Sequence, residues 1–364
     1  MTFWRDLAGV LCIVLLAAIV ACGVPGVPKP PSLQLPQPVS DLRAMRKGDK
    51  VYLAWTVPTQ TTDQENIRQL GATRICRSSN VLNDCSDPAE QAGVLLPLVR
   101  TNQGKAANPV KIQATYTDEL PWTMLRADTN AKISYAVSVQ NTNERSAGLS
   151  NIVSLPAVPA LPPPADFAAQ VTSEGVVLTW SEVPHDRELS GGRRLYRVYR
   201  RDESGADAVA GELPVGTLRS YVLFDHGFDW EKTYFYRATV STMIQGKSAD
   251  QFEGDDSPAI KVLAHDVFPP AVPTGVQAAV SAAGQPTFID LIWAPDTDAD
   301  LAGYNVFRRE AGTEAVKINA SLVTAPAFRD MGMPSGHTYF YSVSAVDVRN
   351  NESKRSEEAS EAVP

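Results

Sequence analysis

Three segments of this chain alternate apolar side chains and end on tryptophan: Val51-Tyr52-Leu53-Ala54-Trp55, Val176-Val177-Leu178-Thr179-Trp180 and Ile289-Asp290-Leu291-Ile292-Trp293. In an extended chain, residues i, i+2 and i+4 face the same side. Each segment therefore reads as a strand that turns Val or Ile, Leu and Trp inward together, with the indole as the large core anchor. One pattern used three times points to three copies of one module.

Each copy continues in the same way. A second strand follows, as Thr73-Arg74-Ile75-Cys76-Arg77, Tyr196-Arg197-Val198-Tyr199-Arg200-Arg201 and Tyr304-Asn305-Val306-Phe307-Arg308-Arg309. Then come Tyr116-Thr117-Asp118, Phe224-Asp225 and Phe328-Arg329-Asp330, and finally Ile133-Ser134-Tyr135-Ala136-Val137, Tyr234-Phe235-Tyr236-Arg237-Ala238 and Tyr339-Phe340-Tyr341-Ser342-Val343. Short strands at regular spacing, broken by turn residues, predict antiparallel sandwiches. Composition agrees: 364 residues suit two or three domains, and Pro 27 with Gly 23 is ordinary for a turn-rich β protein. Long helical periodicity is missing, apart from a short turn expected in the first copy.

These repeats resemble fibronectin type III domains in the form common in bacterial surface proteins. The third copy carries the likeness furthest, from Pro269-Pro270 through Trp293, Ala302-Gly303-Tyr304, Gly336-His337-Thr338-Tyr339 and Val346-Asp347. The resemblance implies an all-β chain of three tandem immunoglobulin-like sandwiches. Tyr234 and Tyr339 match the family's tyrosine corner, where the hydroxyl closes back on nearby backbone. Ile133 stands there in the first copy, which also has a longer interval between Trp55 and its late strand. Proline clusters at Pro156–Pro164 and Pro269–Pro273 set the expected boundaries: a divergent domain with an insertion at 38–157, then domains at 158–265 and 266–364. These joints lack Gly/Ser tracts, so restricted angles between adjacent domains are expected.

The N-terminus reads as an address. Leu7–Ala21 is an uncharged apolar run, shorter than the roughly 20 residues of a membrane-spanning helix and of signal-peptide length. It ends Ile19-Val20-Ala21-Cys22, which resembles the bacterial lipobox. That resemblance implies a signal peptide at 1–21, cleavage before Cys22, and lipid on its thiol, whose thiolate is the nucleophile. More than one acyl chain gives stable attachment. Gly23 in place of Asp points, by family analogy, to the outer rather than the inner membrane. Residues 22–37 hold Pro25, Pro28, Pro30, Pro31 and Pro36 and read as an extended stalk. The alternatives are an uncleaved anchor or an ordinary signal peptide with a chance cysteine. From the implied address follows an oxidising compartment. There Cys76 and Cys85 are expected to pair; a two-ligand metal site is the alternative, with no His between residues 23 and 184 to support it.

Motifs that carry chemistry are few in this sequence. Charge is −8 without a basic block, so nucleic acid is not an expected partner. The four histidines, His185, His226, His265 and His337, share no metal-ligand spacing. Catalytic residues, cofactors and metals are therefore not expected. Asp296, Asp298 and Asp300 alternate as in a calcium loop but lack the glycine and distal Glu of one. They read as a solvated turn, with weak calcium binding as the alternative, and Glu253, Asp255 and Asp256 read as a solvated acidic loop. Lys47-Gly48-Asp49, superficially an integrin tripeptide, falls in a turn. Arg193, Arg194, Arg197, Arg200 and Arg201 read as a sheet face with cross-strand carboxylates, or as a site for an acidic glycan or lipid headgroup.

One candidate binding face emerges. If Tyr196, Val198, Tyr234 and Tyr236 point inward, then Tyr199 and Phe235 point outward, and Phe307 and Phe340 repeat them in the third copy. Each pair is expected side by side on an outer face, either as a cross-strand contact that supports the sheet or as a flat apolar platform for a protein or sugar ring. The resulting expectation is a non-catalytic, lipid-anchored envelope protein whose sandwiches bind a protein partner or act as spacers. A periplasmic accessory subunit of an envelope or secretion complex, or a carbohydrate-binding module with a glycan ligand, is the alternative.

Overall fold

A computed structural model describes residues 32–85, 90–93, 112–182, 191–244, 250–282, 284 and 286–364. The signal segment 1–21, Cys22, the stalk up to residue 31 and His185 lie outside the described residues. Among the described residues all regular structure is β, apart from one 3-10 turn at Trp122–Met124. The described residues divide into two compact units, one holding the first repeat with residues 191–192, 243–244 and 250–253, the other holding the rest of the second repeat and the third.

In the first unit, Lys50–Thr56 lies antiparallel between Arg43–Lys47 and Gln113–Glu119. Facing this sheet is a second one in the order Glu90–Gly93, Ala72–Ser78, Lys132–Val139, Val153–Pro156. The alternation in Lys50–Thr56 places Val51, Leu53 and Trp55 in the core and leaves Tyr52 outside. Lys47 pairs with Lys50 across the two-residue turn Gly48-Asp49, and Gly48 takes the left-handed φ of 58° such turns require. Residues 33–37, the end of the segment read as a stalk, are bonded to this sandwich. Pro36 pairs with Thr61, and Thr62 donates to the Leu35 carbonyl at 2.9 Å.

The second unit contains two further sandwiches. In one, Ala165–Thr172, Gly175–Ser181 and Ser220–Asp225 form a sheet. It faces Asp207–Pro214, Ile260–Leu263 and the parts of the strands Gly192–Asp202 and Thr233–Ile244 that belong to this unit, Arg193–Asp202 and Thr233–Thr242. In the other, Gln277–Val280, Phe288–Ile292 and Ala327–Met331 face Val316–Lys317, Leu301–Glu310, Thr338–Asp347 and Ala359–Ala362. Three separate hydrophobic clusters result, each holding its own tryptophan. The indole N–H of Trp55, Trp180 and Trp293 is buried without an acceptor in all three. The apolar area of each indole outweighs that unmade hydrogen bond.

The corner tyrosines differ. The Tyr234 hydroxyl accepts the Asp229 amide five residues upstream, at 2.9 Å. The same offset from Tyr339 falls on Pro334, which has no N–H to donate. Tyr339 instead lies beneath the Arg308 guanidinium, 5.4 Å from its ring centre, and stacks on His337.

Candidate functional surfaces

The outer-face aromatics do not form bare pairs. In the third repeat Phe340 is opposite Arg309, and Phe307 is opposite Ser342, so the two rings are diagonal neighbours rather than side by side. The reason is register: the strands pair two residues away from the alignment that would oppose the rings. Arg309 lies 4.3 Å over the Phe340 ring and is forked onto Glu358. Arg355 sits 3.8 Å over Phe307, which is only 9% exposed. In the second repeat Arg237 covers Tyr199 at 4.2 Å, held by Asp207 at 2.8 Å and Asp256 at 2.6 Å. Arg201 covers Phe235 at 5.4 Å. Each ring thus carries a guanidinium on one face, a contact that supports the sheet.

The same contacts account for much of the charge. Asp256 is an anchor for Arg237 rather than a purely solvated loop residue, and Glu253 pairs with Lys47 at 3.5 Å. Arg197 meets its cross-strand partner Glu212 at 2.6 Å, and Arg200 meets Asp225. Asp298 accepts the Ala271 amide and its own amide bonds Asp296. Asp300 joins Asp266 and Asp347 in a cluster of carboxylates within 4.8 Å of one another. Arg349 bonds two of them, at 3.1 and 3.4 Å, and Asn351 donates to Asp347 at 2.8 Å. Burial, then the neighbouring Asp266 and Asp347 charges, hold the Asp300 carboxyl above its ordinary range.

Cys76 and Cys85 form a disulfide, with Cα atoms 5.4 Å apart, packed on Leu82 and Ala136. His226 bonds the Glu174 carbonyl, and His265 and His337 bond Glu231 and Glu310.

Two arrangements escaped the sequence reading. In each repeat a Tyr, an Asp and an Arg meet inside the sandwich. Tyr135 and Arg77 both donate to Asp118 at 2.6 Å. Tyr236 and Arg200 donate to Asp225 at 2.9 and 2.7 Å, and Tyr341 and Arg308 to Asp330 at 2.9 and 2.8 Å. The signal was visible, since the three residue types recur in every copy, but only as strand endings. The second is Arg46, buried against Phe252 with its guanidinium 4.1 Å from the ring centre. It donates to the Gly48 and Pro156 carbonyls, and burial lowers its pKa to about 10.

No family model matches the chain. It is 31% identical over 184 residues to an amylopullulanase of Thermoanaerobacterium saccharolyticum, covering 44% of this chain and 13% of that protein. To exoglucanase B of Cellulomonas fimi it is 27% identical over 188 residues, covering 50% and 15%. The chain therefore spans a small part of either enzyme. Among solved structures it is similar to an Fn3-like protein from Clostridium thermocellum, at 32% identity over 27% of this chain and 96% of that one, TM-score 0.23. The chicken CNTN1 FN1-FN3 domains are 16% identical over 90% and 99%, TM-score 0.24. The repeated two-sheet strand order defines the class: the described residues build tandem antiparallel β-sandwiches.

Proposed function

We propose that the protein is a non-catalytic, lipid-anchored component of the bacterial cell envelope, presenting its sandwiches to a protein partner or as spacers. The observation that carries this reading is the apolar run closed by Ile19-Val20-Ala21-Cys22 and followed by a proline-rich segment. One feature of the folded part supports a module role: the kinship with known enzymes covers only a portion of each. Lipid would fix the chain to the membrane at Cys22, and the prolines would set the spacing between bilayer and first sandwich. Metabolic labelling with a palmitate analogue tests the anchor. The native protein is expected to take the label and to partition into detergent, and the Cys22→Ala variant to do neither. Unlabelled native protein in membrane fractions would dismiss the reading. Protease treatment of intact cells then separates surface display from a periplasmic role.

A further inference from the structure

At one end of the first sandwich two turns of the same design stand beside each other. In the first, the Thr61 amide donates to the Glu65 carbonyl and the Gln64 amide to the Thr61 carbonyl, Gln64 has a φ of 65°, and the Thr61 hydroxyl accepts the Glu65 amide. In the second, Asn141 and Arg145 pair around Glu144, whose φ is 60°, and the Asn141 Oδ1 accepts the Asn143 and Arg145 amides. The loops approach closely at Gly71, where a Cβ would meet the Asn141 carbonyl oxygen at 2.1 Å. Asn141 Nδ2 also ties in the incoming segment through the Leu33 carbonyl, at 2.9 Å. The walls are thus fixed by backbone bonds and by buried Thr61 and Asn141.

Between these turns lies a cleft of about 780 Å³, a volume in the range of small-ligand sites. Glu65, Asn66, Arg68, Gln69 and Asn143 line it, and their side chains make no hydrogen bond or ion pair to the described residues. This contrasts with the arginines and carboxylates of the other two repeats described above, which are largely consumed in pairs. We propose that this cleft is a binding site for a neutral saccharide.

The lining selects that chemistry. One carboxylate and one guanidinium balance, so an ion gains little from entering. Each amide offers both donors and acceptors, the same mixture that adjacent sugar hydroxyls present. Half-buried Ile67 supplies an apolar contact for the C–H face of a ring. A peptide ligand would look for a deep apolar or aromatic anchor, and the lining is mainly polar. Because the backbone of the walls is held without the ligand, ordering on binding is confined to the lining side chains. This site is independent of the membrane anchor.

Calorimetry on the full chain in detergent, with maltohexaose, cellohexaose, xylohexaose and mannohexaose as probes, tests the proposal. Millimolar or tighter binding of at least one hexasaccharide is expected. Asn66→Ala with Gln69→Ala removes two sets of neutral hydrogen bonds and is expected to weaken that binding at least about tenfold, with the melting temperature unchanged. Asn143→Asp, nearly isosteric, is a second variant for the case in which the first lowers stability, and is expected to weaken binding several-fold. Arg329→Ala, in the third repeat, is expected to leave it as it is. Absence of binding to all four probes, or equal affinity in both cleft variants, would overturn the proposal.

Discussion

Asp225 accepts the hydroxyl of Tyr236 across the interior of the second sandwich, 2.9 Å away, joining the sheet that carries Trp180 to the sheet that faces it. Arg200 neutralises the same carboxylate, at 2.7 Å from both oxygens. Burial disfavours the charged guanidinium, yet the Asp225 hydrogen bond and charge outweigh it and hold the Arg200 pKa above its ordinary value. Equivalent trios occupy the other two repeats, so each sandwich is closed by a polar latch as well as by its tryptophan cluster.

Removing one member should cost more than removing another. Asp225→Ala leaves Arg200 facing an apolar interior without its counter-charge, a loss of about 3 kcal/mol. Tyr236→Phe deletes one hydrogen bond to a charged group, worth about 1.5–3 kcal/mol at most. Urea melts of each variant, followed by the fluorescence of Trp180, provide the check. Equal stability of Asp225→Ala and the parent would mean that the latch contributes nothing.

The latch also sets a response to alkali. Burial first, and the neighbouring aspartate second, raise Tyr135, Tyr236 and Tyr341 above their ordinary value of 10.0. The folded chain therefore keeps phenolic protons that the unfolded chain releases. This contribution to stability is complete below pH 10 and is lost as pH rises above it. Ultraviolet titration should show Tyr135, Tyr236 and Tyr341 ionising only with unfolding. Smooth titration of every phenol before any loss of structure would contradict this.

Much of the architecture was legible because burial on one sheet face enforces a period of two. Val51, Leu53 and Trp55 announce an inner face in the sequence, and they are at most 1% exposed in the fold. The latches were not legible. Arg77 and Asp118 are separated by 41 residues, and no local pattern says which carboxylate an arginine will meet. Register escaped for a similar reason: alternation states that Phe307 and Phe340 face outward, but not that Arg309 stands opposite Phe340. The cleft is assembled from loops, where neither periodicity nor propensity applies. Tyr339 shows how one residue decides: Pro334 removes the amide on which the corner bond depends.

The guanidinium over Phe307 makes a measurable claim about the outer face. A double-mutant cycle with Arg355→Ala and Phe307→Leu should return a coupling of about 0.5–1.5 kcal/mol. Phe307→Ser with Phe340→Ser should lower the melting temperature by several degrees, since Phe307 is nearly buried. If affinity capture from the native membrane brings down the same partner with this variant as with the parent, the rings serve the sheet alone.

Asp300 lies 3.4 Å from Arg349, yet it offers the opposite sign of pH dependence from a carboxylate whose pKa its ion pair lowers. Its pKa is raised in the fold, so the folded state holds this proton more tightly than the unfolded chain. The favourable contribution is complete below the ordinary value of 3.8 and is lost as pH climbs through the higher folded value. Above that, Asp300 shares the Arg349 charge with Asp266 and Glu231 while Asp347 stands close by. Asp300→Asn removes one negative charge while keeping the shape, and should raise stability at pH 7. The gain should be small, about 0.5 kcal/mol, because the Asp300 side chain is 38% exposed and solvent screens it. The gain should vanish near pH 3, where Asp300 is itself neutral. Thermal melts of parent and variant from pH 3 to pH 8 supply the comparison. A variant less stable than the parent at pH 7 would show that Arg349 needs the third carboxylate more than Asp266 and Asp347 repel it.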